Sequence, residues 1–126
     1  MKIIIAIGIG SFIGGILRYC LSQFVQLRYA SEMPYGTFLV NISGCFLIGV
    51  VYALADRSLL TTEWRLFFAT GILGGFTTFS AFSFETLSLF KAGQVWTAVV
   101  YAVCSVLIGL IATFLGMYIV KISGSI

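Results

Sequence analysis

The chain has 126 residues, of which 60% are hydrophobic and 9% are charged, and its formal net charge is +3. A water-soluble domain of this size needs a far more charged surface. The composition therefore predicts an integral membrane protein, and the scattered positive charge indicates no nucleic-acid partner. Without histidine, and with four carboxylates and three cysteines that lack metal-ligand spacing, the chain has little from which to build an active site. We expect a protein that is not an enzyme.

Four segments are long and apolar enough to cross a membrane as helices, which takes about 20 residues each. They cover residues 3–24, 36–56, 65–90 and 95–120. The short connections between them carry nearly all the charge. We therefore predict an all-α integral membrane protein, with one four-helix transmembrane domain over residues 1–126 that ends in a brief tail from Lys121 to Ile126.

The charges in the connections bear on membrane orientation. Four spans place both termini and the second connection on one side, here called side A, and the other two connections on side B. Side A carries Lys2, Arg57, Arg65 and Lys121, whereas side B carries Arg28 and Lys91, joined by Arg18 if its side chain extends to that surface. Orientation normally follows a clear Lys and Arg excess on the cytoplasmic side. So small a difference leaves open both one fixed topology and insertion in two orientations.

The first and fourth segments carry small residues at helical spacing. Such faces let membrane helices approach closely, since lipid supplies no hydrophobic drive for association. We interpret both as packing surfaces. The members are Gly10, Ser11, Gly14 and Gly15 in the first segment, and Ala98, Ala102, Ser105, Gly109, Ala112 and Gly116 in the fourth.

Polar residues also occur inside the first, second and fourth segments, in the half nearest side B. Arg18 lies near the side B end of the first segment, where snorkelling to the interface is the simplest explanation. Thr37 and Asn41 lie near the start of the second segment. An Asn there either bonds to a neighbouring helix or lines a polar path. Tyr101 and Ser105 lie in the same half of the fourth segment.

The stretch from Thr70 to Glu85 is too polar for a lipid-facing helix and too apolar for a soluble loop. Because it contains Gly74-Gly75, we expect the third helix to break near its middle, between Gly74 and Thr78. Broken membrane helices expose carbonyls that protein or an ion must satisfy. Carbonyls around Gly74 to Thr77, doubled by a second copy, would suit Na⁺. A glycine kink that only permits close packing is the alternative.

After the break, Phe79 and Phe82 share a helical face, and Ser80, Ser83 and Glu85 follow toward side B. Phenyl edges carry positive partial charge, and hydroxyl and amide groups donate hydrogen bonds. This set can host a small, partly dehydrated anion, with packing as the alternative for the rings. Glu85 would repel an anion unless it is protonated or hydrogen-bonded. We expect it to reach the interface or to pair with Arg18, and a proton-coupled role stays open.

All these polar groups lie in the side B half of the membrane. One subunit therefore supplies only half of a polar route, whereas two antiparallel copies would supply one decorated half to each leaflet. Together with the weak charge bias, this pattern predicts an antiparallel homodimer. Its two-fold axis would pass near Thr77 and Thr78.

Three motifs agree with one known family. They are G-G-x-L-R-Y at Gly14 to Tyr19, G-T-x-x-V-N at Gly36 to Asn41 and G-G-x-T-T-F-S-x-F-S-x-E at Gly74 to Glu85. With them the chain resembles the Fluc (CrcB) family of microbial fluoride channels over essentially its whole length. The third motif is the most specific.

This resemblance implies a channel for passive, fluoride-selective efflux in a bacterial inner membrane, formed by a dual-topology antiparallel homodimer with two pores. It also implies a central structural Na⁺ bound by backbone carbonyls, here those of Gly74 and Thr77, with no organic cofactor. Phe79 and Phe82 would line the pores. Asn41, Thr37, Ser80, Tyr101 and Ser105 would assist, and our candidate pathway adds Ser83. Ala81 departs from the family pattern, in which many members carry Thr.

Two alternatives differ in class. A small proton-coupled multidrug exporter would share the four helices and the dual topology, but it needs a membrane-embedded Glu in its first helix, and this chain has none there. A non-transporting assembly subunit would leave the clustered polar residues unexplained.

Overall fold

In the computed structural model, which describes residues 1–29 and 31–123, the regular structure of the described residues is helical. The long elements are α1 (Lys2–Arg28), α2 (Tyr35–Asp56) and α6 (Val95–Ser123). The third segment, Thr62–Lys91, is composite. It contains α3 (Thr62–Arg65), a π-helical stretch (Leu66–Leu73), α4 (Gly74–Phe76) and α5 (Phe79–Lys91).

These four segments are each long and apolar enough to cross a membrane. The helices extend beyond most of the predicted bounds, since α1 continues to Arg28 and α6 to Ser123. The start of the predicted tail is therefore helical, and residues 124–126 lie outside the described part of the chain. Large apolar side chains cover the exterior, with Phe12 71% exposed and Leu110 66% exposed, as suits a surface in contact with lipid.

Helix α1 packs against the π-helical stretch and α4 through backbone contacts. A Cβ atom on Gly14 would overlap the Ile72 carbonyl, and a Cβ atom on Gly75 would overlap the backbone of Ser11. Gly10 is buried in the same contact. The packing interpretation of the first segment is confirmed, although Gly15 faces open space.

The fourth segment packs in the same way against α2. A Cβ atom on Gly116 would overlap the Phe46 carbonyl, and one on Gly49 would overlap the Thr113 carbonyl. Ala98 is also fully buried. These close approaches hold α2 against α6 beside the polar residues described next.

Candidate ion pathway and cation site

The third segment breaks at Thr77 and Thr78, whose backbones are extended (φ −86°, ψ 153° and φ −148°, ψ 117°). The helix restarts at Phe79, and Thr78 caps it by accepting a hydrogen bond from the Ala81 N–H to its Oγ1 at 3.2 Å. A break near the middle is therefore confirmed. It lies after Gly74-Gly75 rather than on that pair, which is helical.

Asn41 of α2 bridges to the residue at the break. Its Nδ2 donates to the Thr78 carbonyl at 3.1 Å, and its Oδ1 accepts from the Thr78 N–H at 2.8 Å. The amide oxygen therefore replaces the helical acceptor of the Thr78 N–H, and the amide N–H adds a second donor to the Thr78 carbonyl, which as an N-cap already accepts the first bond of α5. Asn41 is thus a link between helices, and it also lines the cavity described below.

The break diverts the helical donors of two carbonyls that bear on the cation site. In a continuous helix the Thr78 N–H would donate to the Gly74 carbonyl and the Ala81 N–H to the Thr77 carbonyl. The structure diverts these donors to Asn41 Oδ1 and Thr78 Oγ1. Gly74 and Thr77 were the residues predicted to hold a cation.

Arg18 is half-buried, and its Nε donates to the Gly75 carbonyl at 3.3 Å. Its Nε–H therefore satisfies part of the broken helix, which the snorkelling interpretation did not anticipate. The hydrogen-bond partners of Glu85 are two other residues, Thr37 and Tyr101.

Beside the break lies an open cavity of about 290 Å³ between α2, α5 and α6. The Ser105 Oγ is buried and has no hydrogen-bond partner among the described residues. Ser105 also belongs to the lining of this cavity, and a buried hydroxyl without a partner is rare in folded proteins. The lining residues are Asn41, Gly44, Cys45, Ile48, Thr77, Thr78, Phe79, Phe82, Ser105 and Val106.

Aromatic rings lead inward from this cavity. The ring centroids of Phe79 and Phe82 are 5.5 Å apart, and those of Phe82 and Tyr101 are 5.3 Å apart. Phe79 is 79% exposed, whereas Tyr101 is fully buried. The row therefore connects the outside of the subunit with its interior.

Glu85 lies at the inner end of this row. Thr37 Oγ1 donates to its Oε1 at 2.6 Å, and the Tyr101 hydroxyl donates to its Oε2 at 2.8 Å. The predicted pairing with Arg18 is wrong, because two hydroxyls from α2 and α6 hold the carboxyl group instead. Four predicted residues, Thr37, Phe82, Glu85 and Tyr101, are thus brought together.

Ser80 and Ser83 are exposed and lie outside the cavity lining. The Ser83 hydroxyl donates to the Phe79 carbonyl one turn earlier, at 2.9 Å, and the Ser80 hydroxyl lies 3.1 Å from that of Thr78. The sequence reasoning placed Thr78 at the break but did not name it among the residues of the site. A hydroxyl residue directly before the second half-helix is a recognisable N-cap signal.

Fold and site together define a multi-pass membrane protein with a cavity and hydrogen-bonded polar side chains beside a broken helix. The sequence profile of the family described as CrcB-like protein, Camphor Resistance (CrcB), matches residues 5–117. The chain belongs to this family.

Relatives from bacteria agree with that assignment. A protein of Roseiflexus sp. is 44% identical over 120 residues, covering 94% of this chain and 97% of the relative. One from Thermus thermophilus is 44% identical over 110 residues, or 87% of each chain. One from Acidobacterium capsulatum is 40% identical over 114 residues, 90% of this chain and 91% of the relative. Each is named a fluoride-specific ion channel FluC.

Proposed function

We propose that this protein is a fluoride-selective channel that lets fluoride leave the cell passively. The observation that carries the proposal is the row of groups from the cavity, with its unpartnered Ser105 hydroxyl, past Phe82 to the hydrogen-bonded Tyr101 and Glu85. The names of the relatives support fluoride as the ion. Conduction along such a row requires no covalent chemistry, so the protein is not an enzyme.

The chemistry of the row suits a small anion. The Ser105 hydroxyl and the second N–H of the Asn41 amide can replace part of the hydration shell of fluoride. The edges of the Phe79 and Phe82 rings add weak positive potential without a full charge. An ion stabilised in this way can enter and also leave.

The assembly would be an antiparallel homodimer with two pores. The supporting argument is positional: the half-helix after the break, with Phe79, Phe82 and Glu85, lies between the middle of the third segment and side B. A second copy inserted the other way would supply the equivalent groups to the opposite leaflet.

The same assembly would hold one structural Na⁺ at its centre. The Gly74 and Thr77 carbonyls support this proposal, because the break diverts their helical N–H donors and Gly74 is exposed. Two such carbonyls from each copy would form a set of hard oxygen ligands. The ion would join the two broken helices.

The test of function is fluoride efflux from liposomes that contain the purified protein, followed with a fluoride electrode. We expect rapid efflux and no comparable passage of chloride. Phe79→Ile and Phe82→Ile should slow fluoride, whereas Phe114→Ile, a control at a 65% exposed position on α6, should not. Efflux no faster than from empty vesicles, or equal passage of chloride, would contradict the channel.

The cation is tested separately, by replacing Na⁺ with N-methylglucamine throughout purification. We expect a weaker dimer or lower fluoride efflux, restored when Na⁺ is added back. If both properties were unchanged, the central site would be wrong and the fluoride proposal would stand. The multidrug exporter is not favoured, since α1 contains no Glu and the chain belongs to the CrcB family.

A further inference from the structure

A second cavity lies on the side B face of the pathway. It has a volume of about 370 Å³, and Glu85 belongs to its lining as well as to the hydrogen-bonded group with Thr37 and Tyr101. Glu85 therefore separates the interior row from this cavity. The lining residues are Glu32, Pro34, Phe84, Glu85, Ser88, Leu89, Ala92 and Gln94.

The charge of this cavity is one-sided. Among its lining residues the charged side chains are Glu32 and Glu85, both acidic. Lys91 and Arg28 lie at the same end of the fold, but neither lines the cavity. Glu32 is exposed in the connection before α2, and it also lines the neighbouring cavity of about 430 Å³. An anion on this route would pass a carboxylate at the surface before it reaches the hydrogen-bonded Glu85.

We infer that Glu32 is a negative charge at the side B mouth of the ion pathway and that it limits the flux of fluoride by repelling it. This inference rests on the proposed channel function. The competing interpretation is that Glu32 is an ordinary solvated surface residue. The two interpretations differ in one measurable respect, because repulsion at a mouth acts on the permeating anion and fades as salt screens it.

The expected size follows from elementary electrostatics. One unit charge about 6–10 Å from the route changes the local concentration of a monovalent anion roughly two- to threefold in water. The Debye length is about 30 Å at 0.01 M ionic strength and about 3 Å at 1 M. Glu32→Gln should therefore raise fluoride flux about two- to threefold at the lower ionic strength and leave it nearly unchanged at the higher one. Glu32→Lys should raise it further at low ionic strength only.

The experiment measures initial fluoride efflux from liposomes at about 0.01 M and 1 M ionic strength, adjusted with potassium isethionate and with valinomycin present. Glu63→Gln is the matched control, because Glu63 is also exposed but lines a different cavity, which it shares with Lys2. An increase confined to the Glu32 variants and to low salt supports the inference.

Three outcomes would overturn it. Unchanged flux in both Glu32 variants at low salt, an equal gain in Glu63→Gln, or a gain that persists at high salt would each show that Glu32 is not a mouth charge. Dimer profiles in gel filtration check that the variants are folded. If the wild-type protein passed no fluoride, the channel proposal itself would be wrong. That result differs from the one in which the wild-type protein passes fluoride and the Glu32 variants pass it equally fast.

Discussion

Replacement of Asn41 by Leu would remove the link between α2 and the break. The variant loses both hydrogen bonds to Thr78 and leaves that residue's N–H and carbonyl without these partners. Interhelical hydrogen bonds in membrane proteins contribute about 0.6 kcal/mol each on average, so the loss of two should lower the free energy of unfolding by at least about 1 kcal/mol. An unpaired buried backbone group costs about 1–3 kcal/mol. Because the Thr78 carbonyl keeps its helical donor as the N-cap of α5, only the N–H is left unpaired, and the upper limit of the loss is about 4 kcal/mol. We expect a loss of about 2–4 kcal/mol.

Asn41→Asp refines this prediction. An ionised carboxylate accepts a hydrogen bond from the Thr78 N–H but donates none to its carbonyl, so about half of the loss should remain. Ser43→Ala is the control, because the Ser43 hydroxyl donates to Val40 of its own helix at 3.0 Å.

The assay is SDS-induced unfolding in mixed micelles, followed by the fluorescence of Trp64 and Trp96. These two residues lie near the starts of the third segment and of α6. A free energy of unfolding for Asn41→Leu within about 0.5 kcal/mol of the Ser43→Ala value would refute the reasoning. The link would then not stabilise the break.

Two further predictions concern packing and the carboxyl group. Gly14→Ala should destabilise the protein by about 1–3 kcal/mol in the same assay, because its methyl group would overlap the Ile72 carbonyl. Gly8→Ala, whose methyl group would meet open space, should leave the free energy of unfolding unchanged. Equal losses in the two variants would contradict close packing. Tyr101→Phe removes one of the two hydroxyls that hold Glu85, so we expect a loss of about 1 kcal/mol and slower fluoride efflux. Tyr118→Phe, at an exposed position on α6, is its control. Unchanged stability and flux in Tyr101→Phe would show that the hydrogen bond from Tyr101 to Glu85 supports neither the fold nor conduction.

Much of the fold was predictable because membrane spans depend on local composition. Each segment must satisfy its backbone internally and carry enough apolar side chains to remain in lipid, and both conditions can be read along a single stretch. The break was also predictable, since Gly74-Gly75 and two threonines interrupt an apolar run. Its position at Thr77 and Thr78 lies within the predicted range of Gly74 to Thr78, but the hydrogen bonds from Asn41 to Thr78 could not be predicted.

The partners of the polar residues could not be predicted. Asn41 and Thr78 are 37 positions apart, and Thr37 and Glu85 are 48 apart. Whether such groups meet depends on the rotation and relative depth of their helices. The expected pairing of Arg18 with Glu85, one of two alternatives, is wrong for this reason. Helix α1 places Arg18 against the Gly75 carbonyl instead.

The amino-acid sequence by itself determined the membrane class, the four spans and the choice of polar residues, since these follow from transfer of local segments into lipid. Only the tertiary structure decided which carbonyls the break releases, because their helical donors are diverted by Thr78 and by Asn41 from another helix. It also decided the π-helical stretch from Leu66 to Leu73, where the next N–H, that of Gly74, reaches back five residues to Ala69. That stretch packs its backbone against the glycines of α1; the small residues of α1 predicted a packing face, but not which segment would occupy it.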